Sequence, residues 1–511
     1  MSGAQKSNLL PWIRELRKDE RIVRLNAFFA SPWGIALFAA LTLVSFIFSL
    51  ELLLYAFVIL YALYLCLFGE DFLTIVPLFF FCYVSPSPDN NPGRADSSIF
   101  FGAKGVVILC FAAIAVVAIL LRIALDENMG FKRLFTTKRK LLWGFLALGG
   151  AYLLSGIGNF NYPNVAWKNL LFAALQFLSL FLLYFILTGT VDLSKKDKSF
   201  LPWSVLFTGL LVAGELLTIY LTRPVFFGEI LDRSQIYAGW GTYNNMGAMI
   251  ALAIPFAFYL AAVKKHGYLF LPVAGLLLFA VVFSCSRAST LFAAIAFAVC
   301  FVITAIKTKY KLGFWLTTGA LAAIALALAF IFHEKLATLF SYIPSIFNDG
   351  NDSTGNASSN QYGGILGLFN DSNRFETYGE GLKVFLQNPV FGESFYQSGY
   401  VPASFSELAQ FNGFFPPRWH NTFVQILASC GTVGMIAYLF HRVQTAILFF
   451  KKPTLYKSFI GIGVLLLLLM SLLDCHFFNI GPVFFYSICL AFAEKTEEEQ
   501  VGVAKPLLPR R

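Results

Sequence analysis

Residues 33–68 read WGIALFAALTLVSFIFSLELLLYAFVILYALYLCLF, and Glu51 is the only charge among them. A helix needs about 20 mainly apolar residues to cross the hydrocarbon core of a bilayer. The run is too long for one such helix and long enough for two. It predicts a pair of spans joined by a tight hairpin at Glu51. Apolar runs recur outward from it, near 71–85, 99–121, 141–157, 165–190, 201–221, 242–262, 268–283, 289–306, 312–333, 422–440, 456–473 and 480–493. The run at 71–85 is short enough to be re-entrant. The expected architecture is an all-α polytopic membrane protein with 12–14 transmembrane helices.

Composition agrees. Hydrophobic residues are 58% of the 511, charged residues 13%, and mean hydropathy is +0.70. Soluble domains carry about 25% charged residues. This chain has too little polar surface to clothe a water-soluble particle. Six of its eight cysteines (Cys66, Cys82, Cys110, Cys300, Cys430, Cys489) fall inside apolar runs and none forms CxxC, so they read as small core residues. The first 30 residues carry Lys6, Arg14, Arg17, Lys18, Arg21 and Arg24 ahead of any long apolar run, which does not resemble a cleavable signal peptide. The stretch Leu9 to Arg17 reads either as an amphipathic segment at the inner interface or as a mobile tail.

Lysine and arginine set the orientation. With the N-terminus inside, 28 of the 38 cations fall on inner segments, the four at 442–457 included. The net charge of +10 is then cytoplasmic and topological, and a nucleic-acid partner is not expected. The expected divisions are a cytoplasmic segment 1–32, spans with short loops 33–333, a large extracytoplasmic loop 334–421, further spans 422–493, and a cytoplasmic tail 494–511. The acidic run Glu494 to Glu499 reads as solvated tail.

The long loop breaks the rhythm of short connections. Asn348 to Asn360 is Asn, Asp, Gly and Ser with almost no apolar anchor. Phe375, Tyr378, Leu382, Phe385 and Leu386 then recur at helical spacing, with Asn373 as N-cap, Glu376 three positions into the helix, and Pro389 beyond the end. An amphipathic helix over 374–387, lying on the outer face, is expected. Several of the few outer cations fall beside this loop: Arg287 in Ser284-Cys-Ser-Arg-Ala-Ser-Thr, Arg374 at the first turn of the loop helix, and Arg418 before His420. A guanidinium at a helix N-terminus adds its fork of donors to unpaired N–H groups, which suits phosphate. Taken singly, Arg287 also reads as an interfacial cation or a structural partner for an acid such as Glu215, and Arg374 as a solvated helix-end charge. Of the outer histidines His333, His420 and His476, His420 sits where the loop re-enters the membrane, in Pro416-Pro-Arg-Trp-His-Asn421. Asp474 beside His476 reads as that histidine's partner. Imidazole is suited to general-base work near neutral pH. There is no HExxH, Walker A or GxSxG, and no DxD-like acidic pair in an outer loop.

Four stretches together resemble the O-antigen ligase/polymerase (Wzy_C-type, WaaL-like) family: Gly241-Thr-Tyr-Asn-Asn-Met-Gly-Ala-Met, Ser284-Cys-Ser-Arg-Ala-Ser-Thr-Leu, Arg374 through Asn388-Pro-Val-Phe-Gly, and His420-Asn-Thr-Phe-Val-Gln-Ile-Leu-Ala-Ser-Cys-Gly-Thr-Val-Gly. The resemblance covers about residues 240–440. It implies an integral membrane glycosyltransferase of GT-C-like fold in the bacterial cytoplasmic membrane, using an undecaprenyl-pyrophosphate-linked glycan outside the cell, with neither metal nor cofactor. By resemblance, Arg287 and Arg374 would hold the pyrophosphate and His420 would assist the acceptor hydroxyl. Arg418 as a further pyrophosphate ligand and Asn421 as a support are inferences from position.

The physics is compatible. A lipid pyrophosphate is an activated leaving group, so no ATP is needed. Pre-placed guanidiniums would stabilise the charge it gains. The acceptor stays open between lipid, another glycan repeat, a wall polymer and a protein hydroxyl, the last making a protein O-oligosaccharyltransferase. A lipid-linked glycan flippase is the alternative class. It would predict charges distributed through the spans and an internal repeat of the two halves, and no such repeat is visible. A structural scaffold would leave Arg287, Arg374 and His420 with no reason to lie on one side.

Overall fold

The computed structural model describes residues 11–69, 71–81, 103–125, 131–155, 157, 163–191, 198–223, 225–227, 230–231, 235–238, 241–331, 374–394 and 419–503. Every apolar run read from the sequence carries a helix. The strands among the described residues are two antiparallel pairs of two residues each, Phe226–Phe227 with Ile230–Leu231 and Tyr237–Ala238 with Gly241–Thr242, so the class is all-α.

The hairpin at Glu51 forms as expected. Helix Pro32–Phe48 ends at Ser49 in the left-handed region (φ 54°), and helix Glu51–Phe68 begins two residues later. Ser45 binds Leu50 twice across the turn, through its carbonyl and its hydroxyl. The carbonyls left over at the end of Glu51–Phe68 are met by side chains. Arg122 donates to Cys66 and Gly69, Arg17 to Leu67, and Asn26 to Phe68. Helix ends need such partners where water is scarce. Two of these donors come from the N-terminal helices Pro11–Lys18 and Glu20–Phe29, and the second of these bends 67° away from Pro32–Phe48. Helices Pro11–Lys18 and Glu20–Phe29 are therefore tied to the bundle.

Among the described residues, four helices are individually long and apolar enough to cross a membrane: Phe200–Thr222, Tyr243–Val263, Arg287–Lys307 and Thr422–Phe450. The bent pair Glu20–Phe29 and Pro32–Phe48 would make five, and shorter apolar helices, among them Leu142–Leu154 and Leu455–Met470, accompany them. Ala103–Leu125 (23 residues), Pro163–Thr190 (28 residues) and Lys311–Ile331 (21 residues) are also of spanning length. Tyr243–Val263 is the centre of the bundle, buried along almost its whole length. Its small residues allow this, because apolar attraction adds little between helices in lipid and close backbone approach does the work. Ala253 meets Gly209, and Gly247 meets Ser284, Ser286 and Ser289.

Three elements differ from the sequence reading. Helix Thr422–Phe450 runs well past the predicted end at 440, so His441 and Arg442 lie within it rather than in an inner loop. His441 is fully buried, with Nε2 3.0 Å from the Tyr486 hydroxyl. Glu494 is buried rather than solvated, inside helix Ile480–Val503, and accepts from the Lys140 N–H and the Tyr184 hydroxyl, each at 2.6 Å. Cys110 is exposed and Cys66 half-buried, while Cys300, Cys430 and Cys489 are core residues as expected.

The same long helix is broken. Gly431 has φ 63° and ψ −159°, outside helical space and open only to glycine. The break frees the N–H groups of Thr432 and Val433 and the carbonyls of Ala428 and Ser429. The segment after the loop helix crosses here and satisfies all four. Thr432 N donates to Pro389 O (2.8 Å) and Val433 N to Val390 O (3.1 Å); Glu393 N donates to Ala428 O (2.9 Å) and Ser394 N to Ser429 O (3.0 Å). Irregular backbone at membrane depth survives only with such internal partners. Two of the motif stretches, Asn388-Pro-Val-Phe-Gly and Ser429-Cys-Gly-Thr-Val-Gly, are the halves of this clasp. Gly392 (φ 73°) and Gly431 lie back to back, and a Cβ on either would collide with the other segment's backbone. Gly431→Ala should therefore lose at least about 2 kcal/mol, from strain at positive φ plus the collision. Thermal unfolding in detergent would measure it against Gly150→Ala, where an added Cβ meets nothing within 4 Å. Equal melting of the two variants would contradict the clasp.

Candidate functional site

The site gathers around the turn 471–479, between helices Leu455–Met470 and Ile480–Val503. A span that ends in Ser471-Leu-Leu-Asp leaves its last carbonyls and a carboxylate at the end of the bundle. Three other elements converge on them.

The first is the start of the broken helix. Asn421 is its N-cap. Its Oδ1 accepts from Phe423 N (2.8 Å) and Val424 N (3.2 Å), satisfying two orphan donors. Its Nδ2 donates to Leu472 O at 2.8 Å, and Thr422 N donates to Ser471 O at 3.0 Å. Asn421 thus pins the helix start to the turn. His420 precedes it with φ 48°, an uncommon conformation for a side chain with a Cβ. This turns the imidazole so that Nδ1 lies 3.4 Å from Asp474 Oδ1. The His420 side chain is 44% exposed and that of Asp474 only 9%. A half-open imidazole therefore rests on a buried carboxylate.

The second element is the loop helix, Arg374–Gln387, with the boundaries expected from its spacing. Its inner face packs Tyr378 and Val384 on Trp419, Val424 and Ala428, and Gly381 lets it close on Val424 and Trp419. Tyr378 donates its hydroxyl to the His420 carbonyl (3.2 Å); burial pushes this phenol up to about 12, the nearby Arg374 charge acting against it, so the donor stays protonated. Arg374, at the helix start, is buried and donates through Nη1 to the Leu473 carbonyl. It faces the turn rather than solvent.

The third element is the first turn of the central helix. Asn244 Nδ2 donates to Asp474 Oδ2 at 3.0 Å. Asn245 Oδ1 accepts from Asn479 Nδ2 and lies 3.0 Å from His476 Nδ1, which makes that nitrogen the protonated one of a fully buried ring. Asp474 therefore pairs with His420 and Asn244, and His476 takes Asn245. The sequence reading had paired Asp474 with His476. Asp474 also accepts from Cys475 N at 2.7 Å. Burial pushes its carboxyl up, but the hydrogen bond to His420 and the electrostatic influence of His476, His420 and Arg374 outweigh burial and hold it well below the usual carboxylate range.

One turn along the central helix, Gly247 packs against Ser284, Ser286 and Ser289. Ser286 caps helix Arg287–Lys307 by accepting from Ser289 N, and Cys285 before it has φ 59°. Arg287 is buried at that cap. The central helix thus brings Arg287 to the same end of the bundle as Arg374 and His420. Arg418 and His333 lie outside the described residues, as do Asn348 to Asn360 and the expected cap Asn373. Among the described residues no three His, Cys, Asp or Glu side chains group to hold a metal ion.

The sequence reading missed Asn244, Asn245 and the true partner of Asp474. The available signal was an acid closing an apolar run, Leu466 to Leu473, at the same side as the other candidates.

Residues 272–439 match the family model described as O-antigen ligase, Wzy_C. The match takes in Arg287, Arg374, Arg418, His420 and Asn421, and leaves Asn244 and Asp474 on either side of it. No curated protein matches the chain. It is an all-α, multi-helix membrane protein whose residues 272–439 match the O-antigen ligase, Wzy_C family model.

Proposed function

We propose that this protein transfers or polymerises a glycan from an undecaprenyl-pyrophosphate donor onto an acceptor hydroxyl at the outer face of the bacterial cytoplasmic membrane. One observation carries the reading: a half-exposed His420 backed by a buried carboxylate, with a buried arginine bonded to the turn that holds that carboxylate. His420 takes the proton of the acceptor hydroxyl. The oxygen attacks the anomeric carbon, the bond from that carbon to the pyrophosphate oxygen breaks, and undecaprenyl pyrophosphate departs. Arg287, Arg374 and Arg418 meet the charge that grows on the leaving group. Asp474 orients the ring through Nδ1 and stabilises the imidazolium, and Asn421 and Asn244 hold histidine and carboxylate in place. The energy is in the donor, so the reaction needs neither nucleotide nor metal.

Sidedness follows from the same picture. Lys264, Lys307, Lys451 and Lys452 end helices at the opposite end of the bundle from the site, the arrangement expected if the site is external. The test is purified protein in sealed vesicles, with Leu386→Cys as a side marker on the exposed face of the loop helix. Donor and acceptor supplied from the side on which that thiol labels should give transfer, undiminished by EDTA. Transfer abolished by EDTA, or absent with any polyprenyl-pyrophosphate glycan, would overturn the reading.

A further inference from the structure

Beyond the Gly431 break, the lower leg of the broken helix carries a charge that the transfer chemistry leaves unused. The Arg442 guanidinium carbon stands 4.2 Å from the ring centroid of Phe477, 4.4 Å from that of Tyr438 and 4.6 Å from that of Tyr486. Its Nε, Nη1 and Nη2 are buried against these rings, and among the described residues no carboxylate pairs with it. Aromatic faces offset part of the cost of a buried cation. They do not remove it, and exchanging buried charge for apolar volume is commonly neutral or stabilising. An ionisable group inside a membrane bundle calls for a functional account.

The position of the cage supplies one. Phe477 follows His476 in the turn that carries Asp474 and the Leu473 carbonyl bound by Arg374. One wall of the cage therefore belongs to the turn that carries the site. That site has a built-in conflict. Asp474 serves the histidine, yet a buried carboxylate repels an anionic donor. A cation beside that turn offsets this through low-dielectric protein that salt screens little.

We propose that Arg442 is a remote electrostatic residue, whose buried charge lowers the cost of bringing the donor pyrophosphate up to Asp474 without touching either. This rests on the function proposed above. Arg442→Met removes the charge and leaves an apolar stem among the rings; Arg442→Lys keeps the charge. Arg442→Met should be at least as thermostable as the wild type in detergent. It should bind undecaprenyl-pyrophosphate glycan about tenfold more weakly, with the acceptor KM unchanged and the loss persisting at high salt. Arg442→Lys should stay within about threefold of wild-type donor affinity. Wild-type donor affinity in Arg442→Met, an equal loss in Arg442→Lys, or a destabilised or unfolded Arg442→Met would each overturn the proposal, the last because the cage would then be structural. Failure of the wild type to bind the donor would sink the functional reading; normal wild-type binding unaffected by Arg442→Met would sink this inference alone.

Discussion

His420→Ala should fold, bind the lipid-linked donor with near wild-type affinity, and transfer glycan at least about 10²-fold more slowly, the usual contribution of a general base. That factor corresponds to about 2.7 kcal/mol of transition-state stabilisation. The variant should fold because His420 contributes little packing: its side chain is 44% exposed, and the helix start is held by the Asn421 side chain and the backbone. Its φ of 48° is strained for any residue with a Cβ, and alanine inherits that strain without adding to it. Donor binding should survive because the groups assigned to the pyrophosphate are arginines. His476→Ala is the control. That ring is fully buried against Asn245, so its loss should lower stability more than it changes the transfer rate of protein that remains folded. Single-turnover transfer with a synthetic donor, beside thermal unfolding, separates the two. Turnover by His420→Ala within a few-fold of wild type would remove the histidine from the chemistry.

What the sequence made legible was local. The hairpin at Glu51 followed from span length. The loop helix followed from 3.6-residue spacing and a charged first turn, and it appears as Arg374–Gln387. What it concealed depends on distant partners. Nothing near Arg442 signals that a span continues through it, because the rings of Phe477 and Tyr486 that house the charge come from other elements. The break at Gly431 has no local cause beyond glycine itself; it exists because Pro389, Val390, Glu393 and Ser394 supply its missing bonds. His420 could be singled out by its place at the membrane re-entry, but its carboxylate partner lies 54 positions on, and Asn244 meets that carboxylate from 230 positions away. Neither separation leaves a periodic trace. A two-residue motif such as His-Asn likewise does not reveal that its members do different work, one presented to solvent and the other capping a helix.

Arg287→Lys and Arg374→Lys should each lower kcat/KM for the donor by about 10²-fold, and the double variant should fall by less than the product of the two. Removing one well-placed donor to a developing anion typically costs about 3–4 kcal/mol, and lysine recovers only the charge. The geometry makes Arg374 the sharper case. Its Nη1 is committed to the Leu473 carbonyl, which fixes the guanidinium plane against the turn carrying Asp474. A planar fork can hold that carbonyl through one nitrogen and address an oxyanion through another; a lysine ammonium on a flexible stem has no such fixed division. Arg287 is buried at a helix start, where the cation adds to the unpaired N–H groups of the first turn. If both arginines address one pyrophosphate, losing the first lets the donor shift, and the second then has less to lose; independent sites would give additive free energies. A fully multiplicative double variant would separate the two arginines, and normal donor use by Arg374→Lys would take the loop helix out of the site.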